Sequence, residues 1–194
     1  MMPAARPQPL AAHRRGYTLV ELILVIAVLG LAGALVAPRL GDRGDFDTQA
    51  LVRKLVADAT FAQMDALANQ EFRRIEFLQD PDTGEFLGWC IVRLDETELG
   101  LPYDPSTARH VRDSLSGSGE QRFLVAEDGR FAGARVSSPA FDGGRPFLTF
   151  DELGGTVTPN LQPGTGGQVA IEGRTSGYVV RVAPVTGKIT IVRE

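Results

Sequence analysis

The sequence predicts an α+β fold in which a hydrophobic N-terminal helix continues into an amphipathic helix, and the second helix packs on an antiparallel β-sheet. Three observations carry this. Residues 17–37 are apolar or Gly at every position but Thr18 and Glu21. Apolar residues then recur at spacings of three and four as far as Asn69. Beyond Asn69, short β-prone runs alternate with Gly, Pro and Asp turns. An amphipathic helix and a one-sided sheet each supply the apolar face the other lacks. At 194 residues and 43% hydrophobic, the chain holds one core plus an appended element.

Residues 1–16 are rich in Pro and Ala, lack an apolar period, and read as a leader outside the fold. Residues 17–40 form the expected transmembrane and assembly helix: its 17–37 run, at about 1.5 Å per residue, reaches about 31 Å, which matches a bilayer core of about 30 Å. Arg14 and Arg15 precede it and no equal cluster follows at once, so the positive-inside tendency puts the N-terminus in the cytoplasm. The remainder is then exported, to the periplasm in a cell with two membranes. The Gly- and Asp-rich "GDRGDFD" marks an interruption of helix at the membrane surface. Within the second helical element, residues 41–70, Leu51, Val52, Leu55, Val56, Ala59, Ala62 and Ala66 make one apolar face. Arg53, Lys54, Asp58 and Asp65 are expected on the opposite face. Residues 71–194 make the β-rich domain, with "FRRIEFLQ", "EFLGWCIVRL", "RFLVAE", "RFAGARV", "RPFLTFDELGGTVT", "GQVAIEG", "GYVVRVAP" and "TGKITIVRE" as strands paired in hairpins. The mixed Pro, Gly, Ser and charged stretch 95–120 reads as a long loop of low order.

Glu21 is the residue the apolar run does not explain. A charged carboxylate costs about 2.5–3.5 kcal/mol at the centre of a membrane helix on insertion scales, so it marks a functional site with a partner. Cleavage after Gly16 supplies one, because Tyr17 then carries a free α-amino group four residues before Glu21. Within one chain the two point in different directions. Between neighbouring chains staggered along the helix axis, the amine of one meets Glu21 of the next in low dielectric, and the pair sets the register of assembly.

"RRG" followed by "YTLVELILVIAVLGLAGALVAP" resembles the class III signal of the type IV pilin-like superfamily, which includes type IV pilins and type II secretion pseudopilins. The resemblance implies that a membrane prepilin peptidase recognises Arg14 and Arg15, cleaves between Gly16 and Tyr17, and N-methylates Tyr17, which stands where Phe is usual. Glu21 is the fifth residue of such a mature chain. Gly30 and Pro38 fall where pilin-like helices bend, and both weaken helix, Pro by about 3 kcal/mol relative to Ala. The short helix before many strands, "RRIEF", "FDELGGTV" and the final "VRVAPVTGKITIVRE" are similar to the H-type minor pseudopilin of type II secretion and the related FimT-type minor pilins. That likeness implies a subunit near the tip of a pseudopilus, partnered by other minor and major pseudopilins, the inner membrane, and secreted cargo or the outer-membrane secretin.

Other function classes find little support. Loss of Arg6, Arg14 and Arg15 from the 20 basic residues, against 24 acidic, takes the formal charge from −4 to −7, which argues against a broad grip on nucleic acid. The competing reading, a minor pilin that holds DNA, rests on Arg174, Arg181, Lys188 and Arg193 along the terminal strands. No enzyme is expected. His13 lies in the leader, His110 in the polar stretch, and Asp151 and Glu152, adjacent on a strand, face opposite ways. "PGTGG" lacks the Lys and the helix of a phosphate cradle, and "RGD" is too short to weigh. No catalytic residue, metal site or cofactor is assigned. The single cysteine, Cys90, lies between Trp89 and Ile91 and is expected in the core.

Overall fold

The computed structural model describes residues 17–36, 43–113 and 119–194. It divides into two units, Met1–Gly41 and Asp42–Glu194. The first holds helix α1, Leu19–Val36. Among its described residues the second holds helix α2, Arg43–Asn69, and nine strands: β1 Phe72–Gln79, β2 Phe86–Leu94, β3 Arg109–His110, β4 Arg122–Leu124, β5 Ala134–Phe141, β6 Phe147–Phe150, β7 Gly167–Gly173, β8 Gly177–Val182 and β9 Ile189–Arg193. The helix expected over 17–40 therefore starts later, and its last expected residues, Pro38 among them, lie outside the described residues. The expected interruption at 41–47 is also corrected. Helix α2 already begins at Arg43, and Asp47 near its start suits the positive end of the helix dipole.

Pairing is antiparallel throughout, in the order β6-β1-β2-β5-β7-β8-β9, with β3 and β4 added against β2. Helix α2 packs on one face of this sheet. Its Leu51, Val52, Leu55, Ala59, Ala62 and Ala66 are buried against Ile75 and Phe77 of β1, Trp89 and Ile91 of β2, and Ile171, Tyr178, Val180 and Val182 further across; Val56 is partly buried beside them. Cys90, on the other face of β2, is fully buried, and its burial pushes the thiol up to about 12.

The hairpins β1–β2, β7–β8 and β8–β9 form as predicted. In the first, the Asp80 carboxylate accepts from the N–H groups of Asp82 at 2.8 Å and Thr83 at 3.1 Å, and Gly84 adopts φ +73° to complete the turn. The expected hairpin between "RFLVAE" and "RFAGARV" does not. Strand β4 pairs with β2, residues Gly129–Phe131 form a 3-10 turn, and β5 runs on through Pro139 to pair with β7. The chain absorbs Pro139 at an irregularity between Ser137 and Ala140, where Ser138 has φ +49°.

Three further expectations are corrected. Asp58 belongs to the interface of α2 with the sheet, where it is 6% exposed. Asp151 and Glu152 lie in a turn after β6, and Asp151 Oδ1 accepts from Leu153 N at 3.0 Å and Gly155 N at 2.7 Å. The stretch 95–120 is not a loose loop. Its residues 95–113 contain a 3-10 turn at Glu96–Glu98, the buried Leu99 and Val111, and strand β3, which pairs with β2 within the sheet; residues Leu99–Leu101 cross the sheet face opposite α2. Arg74 of β1 holds them there, donating to the carbonyls of Leu101 at 3.1 Å and Leu99 and to Thr149 Oγ1 at 3.3 Å, with its guanidinium 4.1 Å from the centre of the Phe147 ring. A buried guanidinium needs several acceptors, and the crossing segment supplies two of them.

Candidate functional site

The start of α1 is built by its cap. Thr18 Oγ1 accepts from Glu21 N at 3.2 Å, and Thr18 O accepts from Leu22 N at 3.2 Å. Thr18-x-x-Glu21 is the spacing of a capping box, a signal that sequence reasoning missed. Glu21 thus sits in the first turn, where the helix dipole favours a negative charge. Tyr17 precedes the cap, so it does not share a helix face with Glu21 as a residue one turn earlier would; it is 82% exposed. Gly16, Arg14 and Arg15 lie outside the described residues. The helix continues unbroken through Gly30, whose missing Cβ faces open space, so nothing within the chain's own packing requires Gly there.

Helix α1 presents apolar side chains around its whole circumference, and Leu19, Val20, Leu22, Ile23, Leu24, Val25, Ile26, Val28, Leu29 and Leu31 are all exposed. Burying each such side chain stabilises by about 1.5–3 kcal/mol, so this surface demands an apolar environment. Its side chains are described as far as Gly33. Among the described residues, no helix is long and apolar enough to cross a membrane.

Residues 12–37 match the family model described as the prokaryotic N-terminal methylation motif. This is a prepilin-type N-terminus. It supports a type IV pilin-like protein, and it implies processing by a prepilin peptidase, anchoring through the N-terminal helix, and assembly with other pilin-like subunits. The match takes in Gly16, Tyr17, Glu21 and Gly30, but not Pro38. Comparisons with curated proteins and with solved structures returned no match.

Outside the prepilin-type segment, two polar centres fix the β-rich unit. Asp58 accepts from Trp89 Nε1 at 2.8 Å, Lys54 Nζ at 2.5 Å and Gln121 Nε2 at 3.1 Å, which ties α2 to the sheet. Arg73, 2% exposed on the same side, pairs with Asp65 of α2 and with Glu71 at 2.9 Å.

The cations proposed for DNA do not form one stripe. Register pairs Arg181 with Thr190 and Arg193 with Tyr178, and these pairs occupy opposite faces of the β8–β9 hairpin. Arg193 stands over the Tyr178 ring at 5.8 Å, on the side of the core, whereas Arg181 is exposed on the other side.

Proposed function

We propose that this chain is a minor pseudopilin of a type II secretion pseudopilus, placed near the filament tip, where it helps initiate assembly and contacts cargo or the outer-membrane secretin. The observation that carries the reading is the methylation motif at residues 12–37 leading into an exposed apolar helix with Glu21 in its first turn. In this reading residues 17–40, which extend beyond the described helix, are the single-pass inner-membrane anchor, with the N-terminus in the cytoplasm and the β-rich unit in the periplasm. The role is structural and not catalytic. An exposed apolar patch of Met64, Leu67, Leu153 and Val185, beside a groove of about 450 Å³, supports protein contacts by that unit. The minor-pilin alternative gains no support from the split cations of β8 and β9.

Processing leaves the Tyr17 amine at the membrane edge, and a neighbour's Glu21 receives it. Glu21→Val should keep the chain in the membrane fraction but abolish cross-linking to neighbouring pilin-like subunits; cross-linking at the parental level would refute the pairing. Loss of the protein should stop secretion of exported proteins and leave pili and DNA uptake intact. The opposite pattern would favour a minor pilin.

A further inference from the structure

The sheet ends at β9, and among the described residues no strand pairs with its outer edge. β9 follows β8 in an unbroken register, without the bulge or proline that ordinarily blunts an edge. Glu194 N donates to Gly177 O at 3.0 Å and Ala183 N donates to Lys188 O at 2.9 Å, which fixes the backbone groups that turn inward. Antiparallel pairing alternates, so Lys188, Thr190, Val192 and Glu194 bond towards β8, while Ile189, Ile191 and Arg193 aim their N–H and C=O groups outward. Ile191, midway along this free edge, is 49% exposed on the α2 face beside the buried Val180. Val192 is 40% exposed on the other face beside the buried Val179. An unblunted edge with apolar side chains on both faces is a template for a further strand.

This edge is complementary to itself. An antiparallel pairing of two copies centred on Ile191 sets Ile191 against Ile191, Ile189 against Arg193, and Thr190 against Val192. Every outward-facing residue then meets an outward-facing residue, and each such pair exchanges two backbone hydrogen bonds. The same register sets Lys188 of each copy against Glu194 of the other on the face opposite α2, in the closer, non-hydrogen-bonded kind of pair. Both residues are exposed, and neither makes an ion pair within the described chain. Centring on Ile189 would instead set Lys188 against Thr190 and carry Glu194 beyond the partner strand, and centring on Arg193 would bring two arginines face to face. We propose that β9 is a docking edge for a second copy of this chain, joined antiparallel about Ile191 with reciprocal Lys188–Glu194 ion pairs. The two-fold axis stands perpendicular to the sheet, so α2 of both copies lies on one face of the joined sheet. A contact of this isologous kind closes at two copies. The edge lies wholly within the unit Asp42–Glu194, so it does not depend on how residues 1–16 are processed.

The test uses the full chain in detergent, with micelles in large excess over protein so that shared micelles do not force chains together. In a hydrogen-bonded antiparallel pair the Cα atoms stand about 5.5 Å apart, within disulfide reach. Ile191→Cys should therefore give a disulfide-linked dimer under mild oxidation, to which the fully buried Cys90 does not contribute. Adding Lys188→Glu sets acid against acid at both ends of the pairing and should slow dimer formation about fivefold or more. Adding Glu194→Lys as well reverses both charges and should restore the rate. Tryptophan fluorescence should show the same cooperative unfolding in all three variants. No dimer from the folded Ile191→Cys chain, a rate indifferent to Lys188→Glu, or a rate that the double charge reversal fails to restore would each overturn the proposal.

Discussion

Replacing Asp58 with Ala tests how α2 is fastened to the sheet. Trp89, 1% exposed, would keep a buried indole N–H with no acceptor, and leaving such a donor unsatisfied costs about 1–3 kcal/mol. Gln121 Nε2 would lose its acceptor too, whereas the Lys54 pair, with Lys54 35% exposed, adds at most about 1 kcal/mol. The two terms with a magnitude sum to about 1–4 kcal/mol, a substantial part of the roughly 5–15 kcal/mol that holds a typical domain folded. Asp58→Asn keeps an oxygen for the indole and should cost only about 1 kcal/mol. Urea unfolding of the full chain in micelles, followed by fluorescence of the single tryptophan, reads both values. If the Ala and Asn variants lose the same stability, the indole bond is not what anchors the helix.

Three other expectations follow from the buried groups. Folded Glu76 holds its proton to about 7, above its ordinary value near 4.5, so its contribution favours folding below about pH 4.5 and is lost as pH rises to 7. Glu76→Gln should therefore stabilise the chain by at most about 3 kcal/mol at pH 8 and by almost nothing at pH 4, as read from paired urea titrations. Arg74→Met should release residues 95–113, seen as faster hydrogen exchange at Leu99, Leu101 and Val111, while exchange in α2 changes little. Cys90, with its thiol pushed up to about 12, should resist iodoacetamide at pH 8 in the native chain and react once urea unfolds it.

What the sequence made legible follows from the range of the forces involved. The buried face of α2 was readable because Leu51, Leu55, Ala59, Ala62 and Ala66 repeat at helical spacing, and the β1–β2 hairpin because Asp80 and Gly84 fix its turn locally. The burial of Asp58 was not, since its acceptor role is set by Trp89, 31 residues away. Likewise, the order in 95–113 depends on Arg74, whose acceptors at Leu99 and Leu101 lie 25 and 27 residues on. Pro139 hid the length of β5, because a proline inside a strand ordinarily argues against one. In the candidate site, the motif around Gly16, Tyr17 and Glu21 was visible in its spacing, and the Thr18–Glu21 cap was equally local but went unread. Glu76 carried no sequence signal of its own: alternation in "FRRIEFLQ" suggests a solvent-facing side chain, and only the segment crossing over it makes the position buried.

The most direct measurement is the mass and N-terminal sequence of the chain purified from membranes of cells that contain a prepilin peptidase. A polypeptide beginning with N-methylated Tyr17 is predicted, free of residues 1–16 and carrying the amine that Glu21 of an adjacent subunit receives. A membrane-extracted polypeptide that still begins upstream of Gly16, with Arg14 and Arg15 in place, would contradict it.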